Sequence, residues 1–276
     1  ASPLYGLVYF MTLLSSKSNG HIKYLKALQE RNKFRKSEGR FVVEGKRELG
    51  IALKAGYALE QLFFVPSLFN TDQLSAQLTS NTALFEVESA LYQHLAYRES
   101  TEGVLGIFKQ KSHTIDSFAL NELNPLVIVL ESIEKPGNLG AIFRTADAAN
   151  VAVICLANCS IDLYNPNSIR SSLGCSLSVP CIAGTNEEVF NWLESHHIRS
   201  YAATLQNSNL YFNEDYRKPT AFVMGAEATG LSSFWRDRSD QSVTIPMGGL
   251  IDSMNVSVAT AVLVFEALRQ RSSQDS

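Results

Sequence analysis

Apolar strands alternating with helices constrain this chain more than any other feature. Residues 126–130 form an unbroken apolar run, Leu-Val-Ile-Val-Leu, the pattern of a strand covered on both faces in a parallel sheet. The spacing then predicts a helix over 138–150, a strand over 151–156, a helical segment over 168–173 and a strand at Ser178 and Val179. A helix over 187–195, strands over 199–204 and 220–225, and a short helix near Leu231 follow. A strand over 243–245 and a closing helix over 256–269 complete the pattern. Chains that alternate in this way build parallel α/β domains.

A smaller alternation precedes it. An amphipathic helix over 21–31 sets Ile22, Leu25 and Leu28 against Lys23, Lys26 and Glu30. Residues 32–39 read as a polar loop, 40–45 as a strand, and 46–55 as a helix ended by Gly56. Strands over 62–65, 83–87 and 103–109 alternate with helices over 70–78 and 88–96. A length of 276 residues fits two domains: a small α/β domain over 17–110, a linker over 111–124, and a parallel α/β domain over 125–271. Pro3 to Leu14 is mostly apolar, but no basic residues precede it, so it does not read as a signal peptide, and Met11 is a candidate start.

Composition narrows the function classes. With 45% apolar and 18% charged residues, the chain has the make-up of a soluble globular protein. No apolar run reaches the roughly 18–20 residues of a membrane span. Cys155, Cys159, Cys175 and Cys181 lie among apolar or small residues without zinc-ligand spacing, as expected of reduced thiols in a cytoplasmic protein with no metal. The net charge is −3, but ten bases and three acids between residues 17 and 47 give that segment +7 and leave −10 for the rest. A basic segment on an acidic protein suits a local polyanion contact, and it also suits a solvated helix face.

Three stretches carry candidate chemistry. The first, 131–146, leaves the buried strand and enters a helix. Asn138 offers a donor and an acceptor, and Arg144 a rigid fork suited to phosphate. Taken singly, Asn138 reads as a helix N-cap and Arg144 as a surface ion-pair partner. The second, 222–231, brings Gly225 to a strand end, where ligands bind in α/β sheets. Glu227 lies just beyond, and alone it reads as a charge partner for a helix N-terminus. In the third, 245–261, Pro246 stops a strand and Gly248 and Gly249 let backbone approach a ligand. Ser253 or Asn255 then caps a helix of small and branched apolar residues expected to be packed on both sides. No strand is followed by G-x-G-x-x-G, and the phosphate-binding G-x-x-x-x-G-K-[ST], a Ser-His-Asp pattern and H-E-x-x-H are all missing. This excludes the common dinucleotide, triphosphatase and zinc-protease sites.

Together the three stretches resemble the SpoU (TrmH-type) branch of the SPOUT RNA methyltransferases. The match is N-x-G-x-x-x-R at Asn138, Gly140 and Arg144, then G-x-E-x-x-G-L at Gly225, Glu227, Gly230 and Leu231. I-P-M-x-G and S-x-N-V-S follow at Ile245, Pro246, Met247 and Gly249 and at Ser253, Asn255, Val256 and Ser257. The resemblance covers residues 125–271, and the first domain looks like the ribosomal-protein-like substrate-binding domain of many members. It implies a deep C-terminal trefoil knot, a homodimer, and S-adenosylmethionine bound within the knot. Methyl transfer to a ribose 2′-OH of RNA is the implied reaction, with large-subunit ribosomal RNA preferred to transfer RNA. A non-catalytic RNA-binding module of the same fold is the alternative. By the same resemblance Asn138, Arg144, Glu227, Ser253 and Asn255 form the catalytic set. Backbone at Gly225, Ile245 and Met254 holds the cofactor, with Thr204 and Leu205 near the adenosine. The family usually has Leu where this chain has Met254, a swap that a backbone contact tolerates.

Overall fold

The structure is a computed structural model that describes residues 11–74, 76–97, 102–250 and 252–272. In chain order the first elements are β1 (Met11–Leu14), α1 (Gly20–Glu30), α2 (Asn32–Glu38), β2 (Arg40–Glu44) and α3 (Lys46–Lys54). Next come β3 (Leu59–Phe64), β4 (Ala83–Val87), α4 (Ser89–Leu95), β5 (Val104–Lys109), β6 (Leu126–Glu131), α5 (Pro136–Ala148) and β7 (Val153–Ala157). They are followed by α6 (Pro166–Ser171), α7 (Cys175–Ser178), β8 (Cys181–Gly184), α8 (Asn186–Ser195) and β9 (Arg199–Ala203). The last are β10 (Asn209–Leu210), β11 (Thr220–Met224), α9 (Ser233–Arg238), β12 (Gln241–Thr244) and α10 (Val256–Ser272). They form two compact units. One holds the described residues up to Lys111 together with Asp162–Ser178, and the other holds Ser112–Ile161 and the described residues from Val179 onward.

The first unit is built on a mixed sheet in the order β1-β4-β3-β5-β2, with β5 antiparallel to both neighbours. Asn19 caps α1 by accepting from the His21 N–H at 2.8 Å. The apolar stripe of α1 then buries Ile22, Leu25 and Leu28 against Val42, Phe63, Phe85 and Leu105, as its periodicity requires. Strand β1 was not anticipated. It adds an edge strand parallel to β4. The expected loop over 32–39 is instead α2, ended by Gly39 in the left-handed region (φ 62°). Its own residues give no apolar stripe. It is fixed by Arg35, only 2% exposed, which donates to the carbonyls of Leu28 and Gln29 at the end of α1 and to Asp162 at 2.6 and 2.8 Å. The expected helix over 70–78 shrinks to a single turn, Thr71–Leu74. Asn70 accepts from the Asp72 N–H, and the hydroxyls of Thr79 and Thr82 bond each other, so local polar groups compete with helix continuation. Residue 75 lies outside the described residues.

The second unit is a seven-stranded sheet in the order β10-β12-β9-β11-β6-β7-β8, with every pairing parallel. This is the parallel α/β architecture expected from the alternation. All residues of β6, β7 and β11 are buried, because both faces are covered. On one face Val127, Val129, Ala221 and Val223 pack with Val189, Trp192 and Leu193 of α8 and with Trp235 of α9. On the other, α10 packs on α5 and β11. The strand expected at Ser178 and Val179 is not formed. Ser178 closes α7, and Pro180 has no N–H for the ladder, so its carbonyl accepts from Ile154 and pairing starts at Cys181. Helix α10 is not packed on both sides within the chain. Thr260, Leu263, Val264 and Ala267 are buried, whereas Val258 and Phe265 are about half exposed. Arg271 anchors its far end by donating to the carbonyls of Tyr216, Asn124, Pro125 and Lys218. Burial pushes its pKa below the usual arginine value. No helix among the described residues is long and apolar enough to cross a membrane.

Replacing Arg35 with alanine leaves the Asp162 carboxylate buried without its cation. The expected loss is about 3–5 kcal/mol of unfolding free energy. Urea unfolding of Arg35→Ala against the parent measures it, and a loss below about 1 kcal/mol would show that α2 does not depend on this pair.

Candidate active site

Seven parallel strands put their carboxyl ends on one edge of the sheet, where α/β proteins hold ligands. Four of those ends, after β6, β9, β11 and β12, surround a cavity of about 610 Å³ in the second unit, a volume suited to a small molecule. The segment from Ala203 to Gln206, the loop from Met224 to Leu231, Val243 to Ile245 and the run from Asp252 to Val256 wall it. Of the ten site residues expected from sequence, eight line this cavity: Thr204, Leu205, Gly225, Glu227, Ile245, Ser253, Met254 and Asn255. The walls are apolar at Leu205, Leu231, Val243, Ile245 and Met254, and Lys135, Glu227, Arg236 and Asp252 bring charge to them. Such a lining fits a cofactor with a flat base, held through backbone groups and contact surface. A shallower depression of about 390 Å³, lined by Leu205, Thr244 to Met247 and Leu250, adjoins it.

Asn138 does not cap α5. That helix begins two residues earlier, at Pro136, which needs no N–H partner there. Asn138 therefore sits in the first turn with its side chain free for another bond. Its Nδ2 donates to Glu227, and its Oδ1 accepts from Asn255 Nδ2 at 3.0 Å. Asn255, not Ser253, is the side-chain cap of α10. Its Oδ1 accepts from the Ser257 N–H at 2.9 Å and the Ser257 hydroxyl at 2.6 Å. Asn138, Glu227 and Asn255 thus form one hydrogen-bonded chain that joins all three sequence stretches. Ser253 is exposed on the cavity wall. Arg144 lies outside the cavity, exposed on α5, and pairs with none of the described residues.

Several cavity residues were not singled out by sequence. Lys135, Gln206, Arg236 and Asp252 also line the walls. Lys135 and Asp252 fall inside the quoted stretches, so the signal was present; nothing marks Arg236, whose guanidinium donates to the Leu231 carbonyl at 2.7 Å. Glu131 was also missed. It is the last residue of β6, 4% exposed, and accepts from the Ser232 N–H and hydroxyl and from Asn186 Nδ2. No group of three or more potential metal ligands occurs among the described residues.

Known proteins resemble this chain in sequence and fold. The chain is 29% identical over 253 residues to a 23S rRNA (uridine(2479)-2′-O)-methyltransferase from Streptomyces viridochromogenes, covering 88% of this chain and 87% of that one. It is 38% identical over 162 residues to the 23S rRNA (guanosine-2′-O-)-methyltransferase RlmB of Haemophilus influenzae, covering 57% of this chain and 65% of that one. The crystal structure of an AdoMet-bound rRNA methyltransferase from Sinorhizobium meliloti superposes with a TM-score of 0.86 at 27% identity, covering 94% of this chain and 98% of that one.

Gly225 is where the cavity wall tolerates no side chain. A methyl group there would lie 2.2 Å from the Gly230 carbonyl carbon and 2.3 Å from the Leu231 nitrogen, both backbone atoms. Gly225→Ala is therefore expected to displace the loop and weaken S-adenosylmethionine binding at least about tenfold, or about 1.4 kcal/mol. Calorimetric titration checks this, and unchanged affinity would remove the loop from the cofactor site.

Residues 125–265, just over half the chain, match the SpoU rRNA Methylase family, and residues 19–106 match the MRM3-like substrate binding domain. With the parallel sheet and the three stretches meeting at one cavity, the chain belongs to the SpoU rRNA Methylase family.

Proposed function

We propose that this chain is an S-adenosylmethionine-dependent enzyme that methylates a ribose 2′-OH of large-subunit ribosomal RNA. The observation that carries this reading is the meeting of Asn138, Glu227 and Asn255 in one hydrogen-bonded chain at a cavity lined by Gly225, Ile245 and Met254. The 23S rRNA specificity in the names of the Streptomyces and Haemophilus relatives supports the ribosomal substrate. Thr204 and Leu205 would flank the adenosine, and backbone around Gly225, Ile245 and Met254 would hold its polar edges. When bound, the cofactor supplies an electrophilic methyl carbon on a sulfonium.

The residues then have to align and activate the hydroxyl. Methyl transfer is an in-line displacement, so fixed geometry supplies much of the rate. Asn138 is held from both sides, by Glu227 and Asn255, and would orient the ribose together with Ser253. Arg144 would bind the phosphate beside the target ribose and stabilise the charge that develops on the hydroxyl oxygen. This role is electrostatic and asks no proton transfer of the guanidinium. The first unit would grip structured RNA through its basic residues, mainly by phosphate contact and shape. The match of residues 19–106 to a substrate-binding domain supports this assignment.

The same reading includes a homodimer formed through the second unit and a deep trefoil knot in its C-terminal part. The half-exposed Val258 and Phe265 on α10 supply an apolar face that a second copy would cover. The return of α10 onto α5 and β11 after β12 supports the knotted path. Cys155 and Cys181 are buried, and burial pushes both thiols up, which keeps them unreactive and suits a cytoplasmic enzyme.

Transfer of labelled methyl from S-adenosylmethionine to unmodified ribosomal and transfer RNA, with mapping of the modified ribose, tests the proposal. One labelled ribose in 23S RNA is the expected outcome. Labelling of transfer RNA alone would replace the substrate, and cofactor binding without transfer to either would favour a binding module. Arg144→Ala is expected to lower kcat by about 10²–10³-fold, and a near-normal rate for Arg144→Lys would contradict a need for the planar fork. Phe265→Asp is expected to shift the sedimenting species from two chains to one, and an unchanged dimer would move the interface away from α10.

A further inference from the structure

We propose that Glu131 is a positioning residue that sets the cavity loop and, through it, the contact between Asn138 and Glu227. The inference rests on the reading of those two residues as part of the methyl-transfer site. Glu131 ends β6 and is nearly fully buried. Its Oε1 accepts from Ser232 Oγ at 2.6 Å and from Asn186 Nδ2 at 2.6 Å, and its Oε2 accepts from the Ser232 N–H at 2.7 Å. Ser232 is the N-cap residue of α9 and directly follows Leu231, the last residue of the cavity loop.

The chain leaving Glu131 turns at Ser132 (φ 54°) and reaches Asn138 in the first turn of α5. One carboxylate therefore stands at the root of two loops, one carrying Asn138 and the other carrying Glu227. A group with two accepting oxygens suits the place, because the Ser232 N–H faces one oxygen and the Asn186 amide and Ser232 hydroxyl face the other. A glutamine would turn its own N–H₂ toward a donor on one side. The loop has little slack to absorb a shift, since Gly230 N–H bonds the Ala226 carbonyl at 2.8 Å and Gly225 abuts the backbone of Gly230. Movement of Ser232 thus moves Glu227.

The test uses Glu131→Ala, Glu131→Gln and Ser232→Ala in the full chain, each first shown folded by circular dichroism. S-adenosylmethionine affinity is read by calorimetry and methyl transfer by single-turnover rate on RNA. Glu131→Ala is expected to weaken cofactor binding about tenfold, with the glutamine and serine variants between it and the parent. The rate loss from Glu131→Ala should shrink in a Glu227→Gln background, because the two act on one geometry. Adding Asn186→Asp to Glu131→Gln returns a carboxylate to the cluster and should recover part of both losses. Parental affinity and rate in all three variants would overturn the proposal, as would rate losses that simply multiply with that of Glu227→Gln. If Glu131→Ala does not fold, the other two variants carry the test. A full rate for Glu227→Gln alone would instead sink the reading of the site, while the affinity measurements still judge the tie to the loop.

Discussion

Parallel strands cannot be joined by tight turns, so each must be followed by a crossover that returns the chain to the starting edge. The second unit follows from that constraint. Each of its seven strands points the same way, and every loop that leaves a strand end emerges on one edge. Residues at 131–138, 203–206, 224–231, 244–247 and 252–255 are far apart in sequence, yet they come together there. The strands hold that edge rigid because both sheet faces are buried, with side chains such as Val127, Ile128, Phe222 and Val223 wholly covered. A site assembled from backbone and short polar side chains needs such a frame, since none of its members is itself anchored by bulk.

The polar chemistry at that edge is arranged in two layers. At the cavity, Asn138 is fixed between a carboxylate and a second amide. Behind it, the buried Glu131 receives hydrogen bonds from Asn186 and from Ser232, which is itself exposed. A buried carboxylate is costly unless it is fully bonded, and here each oxygen is. The first layer is exposed at Glu227 and Asn255, whereas in the second Glu131 and Asn186 are buried and Ser232 reaches the surface.

Much of this was legible in the sequence, for physical reasons. The continuous apolar run at 126–130 read as a strand covered on both faces, and Gly225 and Pro246 marked where later strands stop. The stripe of α1 was likewise plain from its spacing. What escaped depends on distant partners. Helix α2 exists because Arg35 reaches a carboxylate 127 residues away, and no local pattern announces such a contact. Strand β8 was displaced by the missing N–H of Pro180, a signal that was available and misplaced by three residues. Asn138 looked like a helix cap because it is the residue type that caps, and only the earlier start at Pro136 released its side chain for Glu227. Arg144 was singled out by motif, and the fold leaves it outside the cavity; its type was legible in the sequence but its surroundings were not.

Helix α10 has a mechanical character of its own. Its first turn supplies Val256 and Ala259 to the cavity wall. Its last turn is gripped by Arg271, which holds four carbonyls next to the starts of β6 and β11. Seventeen residues of helix make a rod of about 25 Å that runs from one edge of the sheet to the other. A load on its carboxyl end is therefore transmitted lengthwise to the cavity, and the four-carbonyl grip acts as the fixed bearing that keeps the rod from sliding.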